Sequence, residues 1–297
     1  MKIPLKAERH ALFGSVSPSV KTKPTEKEHM QDLQNTHKDF LFDVNLVGVA
    51  NVKRPVQIKS TSSPVNQTTV ATFSMGAQLN RYAKGTNMSR FLTALEEFNG
   101  HQNQTLSLAS LKNLARSLAD RLNQDMIHIH VAFPWFYSRE APTSLQSAHN
   151  HSEIEISLNY SKTLGFKTEL TLACLVTTLC PCSKEISEYS AHNQRGEVKM
   201  SVELCEDFDE DKIDWKNELL VAAESNASAR IHPILKRPDE KVVTEQAFEN
   251  PRFVEDLVRL VAADLYEYDW VTAFKVTCQN QESIHLHDAV AKITYKK

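Results

Sequence analysis

The sequence predicts an α+β protein in which two ββααββ units follow one another along the chain. Segments in which apolar and polar residues alternate, a pattern typical of half-buried strands, come in pairs. Between the pairs lie segments whose apolar residues recur at helical spacing. Each unit is therefore expected to form an antiparallel sheet with helices on one face. The halves share this order of elements without sequence identity, and we place their boundary near residue 160.

The first unit is expected over residues 41–160, after an irregular N-terminal arm over residues 1–40 that is polar and contains prolines. Its outer segments alternate with the period of two that strands have, and its inner segments have the helical period. The predicted order is strand, strand, helix, helix, strand, strand, over 41–59, 68–80, 87–98, 107–122, 126–136 and 152–160.

The second unit is expected over residues 161–297 and has the clearest helix of the chain, 250–268. Asn250 can cap this helix, and Pro251 suits its first helical position. The remaining predicted elements are strands over 166–179, 196–208, 270–280 and 284–295 and a helix over 214–228.

Composition limits the kind of protein this is. A chain of 297 residues with 41% apolar and 24% charged residues buries enough surface to fold without a disulfide or a structural metal. The net charge of -3 gives no reason to expect nucleic-acid binding, and no apolar run approaches the ~20 residues of a membrane helix. Five cysteines, an odd number, and the lack of an export signal predict a reducing cytoplasm.

The segment "LCPCSKEISEYSAHNQRG", residues 179–196, concentrates reactive side chains between two predicted strands. Cys180 or Cys182 and His192 would converge if the loop folds back, and thiolate and imidazole bind borderline metals. One proline between the cysteines makes a poor chelate for a single ion, so we expect one thiol to be the ligand. The structural alternatives are an inert packed thiol and a hydrogen-bonded surface histidine.

Basic side chains also mark this segment. Lys184 and Arg195, with Asn193 and Gln194 beside the arginine, could hold phosphates by charge-assisted hydrogen bonds. Only seven glycines occur in the chain and none forms a phosphate-binding loop, so side chains and ordinary backbone would have to hold a nucleotide. Solvated loop charges are the alternative.

Two later clusters carry further candidate residues. Glu240 precedes the predicted helix and Glu255 lies within it, where Arg252 and Arg259 at i−3 and i+4 would make an ordinary helix-surface salt bridge. His285 and His287 would share one face of the last predicted strand, which indicates a metal site.

The motifs "CPCSKEISEYSAHNQRG", "HPILKRPDEKVVTEQAFENPRFVEDLVR" and "ESIHLHDA" resemble the type IB GTP cyclohydrolase I family. "DLQNTHKDFLFDV" and "KGTNMSR" extend the resemblance, which covers the chain from Phe13 to the end. It implies a bimodular tunnelling fold whose subunits join their sheets into a barrel, with active sites between subunits. It also implies conversion of GTP to 7,8-dihydroneopterin triphosphate and formate, for folate and, in many bacteria, modified tRNA-base synthesis.

The resemblance also implies roles for residues. Cys180, His192, Glu240 and His285 match the family's metal-binding residues, Cys180 and His192 being catalytic, and Glu255 matches the glutamate that anchors the purine or pterin ring. One divalent ion, zinc, Fe(II) or Mn(II), is expected in each active site.

The expected partners are GTP and further copies of the chain, in a homo-oligomer expected to be a tetramer, with neither nucleic acid nor membrane. Ser190 stands where many members carry glycine, which would alter only loop flexibility.

Three alternatives remain open at this point. One is a nitrile reductase of the same fold that acts on a deazapurine with a cysteine nucleophile and NADPH. The second is a non-catalytic purine- or pterin-binding protein that keeps Glu255 without a complete metal set. The third is a structural zinc protein with four ligands closed to solvent, which would unfold when the metal is removed.

Overall fold

The computed structural model describes residues 5, 6, 8, 22–30, 32, 34, 36–100 and 105–297. Much of the arm expected over residues 1–40 thus lies outside the described residues. Within its described part, a short 3-10 turn spans Lys27–His29, and His37 forms an isolated bridge with Ala83.

Strands in the described part of the chain form one antiparallel sheet of eight, and their order across the sheet is their order along the chain. Antiparallel neighbours need no crossover, so each strand pairs with the next one in sequence. The strands are β1 Val44–Lys59, β2 Asn66–Leu79, β3 Met126–Glu140, β4 Ser147–Ser161, β5 Gly165–Leu179, β6 Asn193–Leu204, β7 Val271–Asn280 and β8 Ala289–Lys296.

Between the strands of the described residues, helices interrupt this meander in the two halves of the chain. One pair lies between β2 and β3, a short helix between β5 and β6, and three helices between β6 and β7. They are α1 Met88–Gly100, α2 Leu108–Leu122, α3 Pro181–Ile186, α4 Trp215–Asn226, α5 Arg237–Glu249 and α6 Val254–Glu267. The predicted α+β fold, with antiparallel strands and long helices packed on the sheet, is confirmed.

The main apolar core joins α1, α2, α4 and α6 to the sheet through both halves of the chain. In β3, Ile129, Val131 and Phe133 are buried while the residues between them are more exposed, because successive side chains of a strand point to opposite faces. Leu111 and Leu118 of α2 are fully buried in the same core. The sheet continues across the predicted unit boundary, where Ser161 pairs with Gly165, so the division into two units remains a prediction.

Two sequence predictions near the C-terminus were wrong. Helix α6 begins at Val254 with Phe253 at its N-cap, whereas Asn250 is the C-cap of α5, a helix that we did not predict. The physical reason is that the helical hydrogen bonding is interrupted between the two helices. The backbone N–H of Arg252 donates to the carbonyl of Leu179 in β5, at 2.9 Å, and not to a helix carbonyl.

The last strand is also shorter than predicted, since β8 begins at Ala289. His285 and His287 therefore lie in the loop 281–288 that precedes the strand, and the predicted shared strand face does not exist.

Strands β4 and β5 separate where the sheet approaches the candidate site. Their last register pair is Glu153 with Ala173, and the remainder of β5 has no β4 partner. The chain that leaves α4 takes the vacated place, since Thr177 and Ala229 form an antiparallel bridge. The end of β5 is therefore held by β6 on one side and by the link between α4 and α5 on the other.

Candidate active site

Cys180 and His192 lie together at the point where the β5–β6 hairpin opens. Leu179 and Asn193 are the last register pair of the two strands, and the backbone N–H of Cys180 donates to the carbonyl of His192 at 3.2 Å. Cys180 is also the N-cap of α3, where its Sγ accepts a hydrogen bond from the Ser183 N–H at 3.4 Å. The half-buried thiol thus stands beside the histidine backbone, whereas Cys182 is exposed.

The His192 ring is held on its Nδ1 side. Nδ1 lies 2.9 Å from Oε1 of Gln194, 3.4 Å from the hydroxyl of Ser283 and 3.9 Å from Oε2 of Glu282. Gln194 is buried, and its Nε2 donates to the Thr178 hydroxyl at 3.1 Å. No partner of Nε2 of His192 occurs among the described residues, so this nitrogen is available to a ligand.

Glu240 is exposed in the first turn of α5. The helix reaches the candidate site through a small apolar cluster that is separate from the main core. Its members are Leu179, Ala191, Ala229, Val243 and Ala247. Because Leu179 and Ala191 directly precede Cys180 and His192, this packing fixes α5 against the hairpin that carries both residues.

His285 is exposed in the loop 281–288, where its ring stacks on that of His287 with centroids 4.9 Å apart. The loop approaches the site through the contact of Ser283 with His192. In the part of the chain that the structure describes, no three His, Cys, Asp or Glu side chains are close enough to hold a metal. One chain therefore brings Cys180 together with His192 and leaves His285, like Glu240, on an adjacent element.

Glu255 lies in the first turn of α6, exposed to solvent. The salt bridges that offered an alternative role are not formed: Arg259 approaches Asp256 at 3.9 Å, and Arg252 donates to two backbone carbonyls. Among the described residues the Glu255 carboxylate has neither a hydrogen bond nor an ion pair. The N-terminus of a helix favours a negative charge, so this carboxylate is stable there without a partner.

The two basic candidates have different surroundings. Lys184 donates to the backbone carbonyl of Phe248 at 2.6 Å and lies over the Phe248 ring, so it joins α3 to the end of α5. Arg195 is exposed on β6 and lines a cavity of about 290 Å³ where β4 and β5 separate. Lys184 is thus held by Phe248, whereas Arg195 lies at an open surface.

Sequence reasoning missed Asp239, which fastens the start of α5. This fully buried carboxylate accepts hydrogen bonds from the N–H groups of Thr143, Ser144 and Lys236 and from the Ser144 hydroxyl, at 2.6–2.8 Å. Burial opposes ionisation, but the hydrogen bonds outweigh it and hold the pKa of Asp239 well below its usual range. An aspartate at the third position of a helix was the available sequence signal, and it was overlooked beside Glu240.

A buried ion cluster was also missed. Glu224 of α4 is 5% exposed and pairs with Arg139 of β3 and, at 3.5 Å, with Arg230. Burial raises the pKa of Glu224, and the two guanidinium groups oppose that rise. The cluster ties the chain that leaves α4 to the separated end of the β3–β4 hairpin.

Comparison with known proteins identifies close relatives. The family model described as "Type I GTP cyclohydrolase folE2" matches residues 30–291. A GTP cyclohydrolase FolE2 from Oceanobacillus iheyensis is 55% identical over 296 residues, which cover 100% of this chain and 98% of the relative. The GTP cyclohydrolase FolE2 of Bacillus subtilis is 52% identical over 296 residues, covering 99% and 96%.

Solved structures are similar at the level of the fold. Uricase from Arthrobacter globiformis superimposes with a TM-score of 0.52 at 9% identity, covering 88% of this chain and 96% of that one. Among the described residues, no helix is long and apolar enough to cross a membrane.

The Asp239 clamp predicts a pH-dependent stability. A carboxylate whose pKa is lowered on folding stabilises the fold above its unfolded pKa of about 3.9, and this contribution is lost as the pH falls towards the folded value. We expect Asp239→Asn to lower the urea midpoint at pH 7, and its difference from the parent to shrink progressively below about pH 4. Asp207→Asn, at an exposed carboxylate, is the control and should leave the midpoint unchanged. A difference that stays constant from pH 7 to pH 3 would contradict the clamp.

Proposed function

The chain belongs to the type I GTP cyclohydrolase FolE2 family, and we propose that it converts GTP and water to 7,8-dihydroneopterin triphosphate and formate. The observation that carries this proposal is the identity of 55% to a GTP cyclohydrolase FolE2 along the whole chain. Membership of this family argues against the deazapurine nitrile reductase, the non-catalytic pterin-binding protein and the structural zinc protein. The product would enter folate synthesis and modified tRNA-base synthesis in the cytoplasm.

The reaction requires water to attack C8 of the guanine imidazole ring twice. The first attack opens the ring to a formamide, and the second releases formate. Both attacks need a stronger nucleophile than neutral water at pH 7. Cys180 and His192 are the described pair of side chains whose chemistry fits the generation of such a nucleophile, through a shared metal ion.

The donor set fits a divalent metal. The thiol of Cys180 and the free Nε2 of His192 are ligands that zinc accepts, and Glu240 would add the oxygen donor that Fe(II) or Mn(II) also accept. Glu240 and His285 lie on the two elements that pack against the Cys180–His192 hairpin. A metal ion bound by these residues would lower the pKa of water so that hydroxide is available near neutral pH.

Glu255 fits the recognition of guanine. A carboxylate offers two acceptors, which match the N1–H and the 2-amino group of the base. Its lack of any competing partner among the described residues supports this role. For the triphosphate we propose Arg195, exposed beside the cavity, and Lys184, which would have to leave the Phe248 carbonyl to reach a phosphate.

We also propose that the protein is a homo-oligomer, a tetramer, with active sites completed between subunits. The outer strands of the sheet, β1 and β8, each have one edge without a partner strand among the described residues. Such edges pair readily with another chain. The incomplete metal set within one chain is also consistent with a site that a second subunit completes.

The first prediction of the proposed function concerns Cys180 and His192. Cys180→Ala and His192→Ala should each abolish formate release from GTP, because each removes a metal ligand, while the circular dichroism spectrum stays that of the parent. Cys182→Ala is the matched control and should retain turnover, since Cys182 is exposed on α3. Near-normal turnover in metal-loaded Cys180→Ala would refute the assignment, and complete loss in Cys182→Ala alone would transfer it to Cys182.

The second prediction concerns Glu255. In Glu255→Gln an amide donor would face the donors of guanine, a mismatch that costs on the order of 1–3 kcal/mol once the ligand covers it. GTP affinity measured by calorimetry should fall about 5- to 150-fold, while bound metal and melting temperature stay unchanged. Asp256→Asn, which changes the neighbouring carboxylate, should leave GTP affinity close to that of the parent. Parental affinity in Glu255→Gln would remove this residue from the guanine site.

The third prediction concerns assembly. Light scattering should give a mass about four times that of the 33.6 kDa chain. Specific activity should fall on dilution to concentrations at which the oligomer dissociates, because the sites would then be incomplete. A monomer with full activity would exclude shared active sites and would leave the assignment of Cys180 as a metal ligand unaffected.

A further inference from the structure

We propose that Gln194 is a positioning residue that keeps the proton of the neutral His192 ring on Nδ1 and thereby presents the Nε2 lone pair to a ligand. The inference rests on the proposed function only in naming a divalent metal as that ligand. It depends on three observations: the burial of Gln194, its two hydrogen bonds, and the acceptors that surround Nδ1.

Gln194 is buried although its side chain is polar. It is 8% exposed, on the second residue of β6, and its cross-strand partner Thr178 is fully buried. A primary amide withdrawn from water is costly unless it is hydrogen-bonded. Gln194 meets this need with two side chains only: its Oε1 lies 2.9 Å from His192 Nδ1, and its Nε2 lies 3.1 Å from the Thr178 hydroxyl.

The acceptors around Nδ1 determine the direction of this chain of hydrogen bonds. The hydroxyls of Thr178 and of Ser283, which lies 3.4 Å from Nδ1, can each donate or accept, so neither of them fixes the amide orientation. Glu282 determines this orientation, because its carboxylate lies 3.9 Å from Nδ1 and can only accept a hydrogen bond. The Glu282 side chain is only 14% exposed. A lone pair on Nδ1 would face that carboxylate unfavourably. The proton therefore belongs on Nδ1, where it is donated to Gln194 Oε1, and the Gln194 amide donates to Thr178.

This arrangement suits metal binding. In a neutral imidazole with the proton on Nδ1, Nε2 carries the lone pair that a metal ligand requires. A hydrogen bond from the other ring nitrogen fixes the ring orientation and raises the basicity of the ligating nitrogen, and loss of such a bond typically reduces metal affinity about 10–100-fold. Gln194 occupies that place for His192.

Thr178 and Gln194 also link the position of His192 to that of Cys180. Thr178 and Gln194 face each other in the β5–β6 ladder, two residues before Cys180 and two residues after His192. The Thr178–Gln194 hydrogen bond thus closes the base of the hairpin from which both side chains emerge.

The test uses the full-length protein with Gln194→Met, which keeps the length of the side chain and removes its acceptor. Cobalt(II) affinity of the metal-free protein, measured by chelator competition, is expected to fall 10–100-fold. Gln194→Glu, which keeps an acceptor for the Nδ1 proton, should recover most of the lost affinity. Gln67→Met is the matched control, since Gln67 is a half-buried glutamine bound to the Phe136 backbone away from His192, and it should bind cobalt as the parent does.

A second readout follows the proton itself. Solid-state NMR of the metal-free, 15N-histidine-labelled protein at pH 8, with the His192→Ala spectrum subtracted, should show a protonated Nδ1 in the parent and in Gln67→Met. Gln194→Met should show a mixture of the two tautomers. If Gln194→Met does not fold, Thr178→Val, which removes only the outer hydrogen bond, takes its place and should show the mixture with a smaller loss of affinity.

The outcomes separate the inference from the proposed function. A parent His192 protonated on Nε2, or a Gln194→Met protein with parental tautomer and cobalt affinity, would overturn the role of Gln194. A parent that shows the expected tautomer but binds no divalent metal would refute the metal-dependent reaction and leave the positioning of His192 supported.

Discussion

The arrangement of the candidate site depends on how the backbone of β5 is hydrogen-bonded after it separates from β4. Buried backbone groups must find partners, and the end of β5 has lost one neighbouring strand. Thr177 exchanges backbone hydrogen bonds with the segment at Ala229. The Leu179 N–H donates to the Ser228 hydroxyl, and the Leu179 carbonyl accepts from the Arg252 N–H. These bonds bring the ends of α4, α5 and α6 to the residue before Cys180, so three helices converge there.

The polar groups that support the site are buried and paired, which fixes the protein elements around it. Asp239 holds the start of α5 with four hydrogen bonds, and Gln194 holds His192 against Thr178. Two of the groups that would meet substrate or metal are, in contrast, unpaired among the described residues: the exposed Glu255 carboxylate and Nε2 of His192. The fixed supports reduce the conformational entropy that the site loses when it binds a ligand.

Several features of the site were accessible from sequence, and others were not. The closeness of Cys180 and His192 follows from a short loop between two strands that pair in the antiparallel sense, which local periodicity predicts. The helix boundary at Asn250 and the strand face shared by His285 and His287 were wrong, because local propensity favoured a cap and an alternating strand. Arg252 donates a hydrogen bond to a distant strand between two helices, and the segment that carries both histidines lies in a loop from which Ser283 contacts His192. The roles assigned to individual site residues remain predictions.

The sequence by itself determined the α+β class, the order of its strands and of helices α1, α2, α4 and α6, and the family to which the motifs belong. These properties are carried by hydrophobic periodicity and contiguous motifs, which depend on neighbours along the chain. The tertiary structure alone decided that both halves share one sheet and one core, that β4 and β5 separate, and that Asp239 and Gln194 support the candidate residues. These properties arise from backbone and side-chain groups far apart in sequence that must satisfy one another's hydrogen bonds once water is excluded.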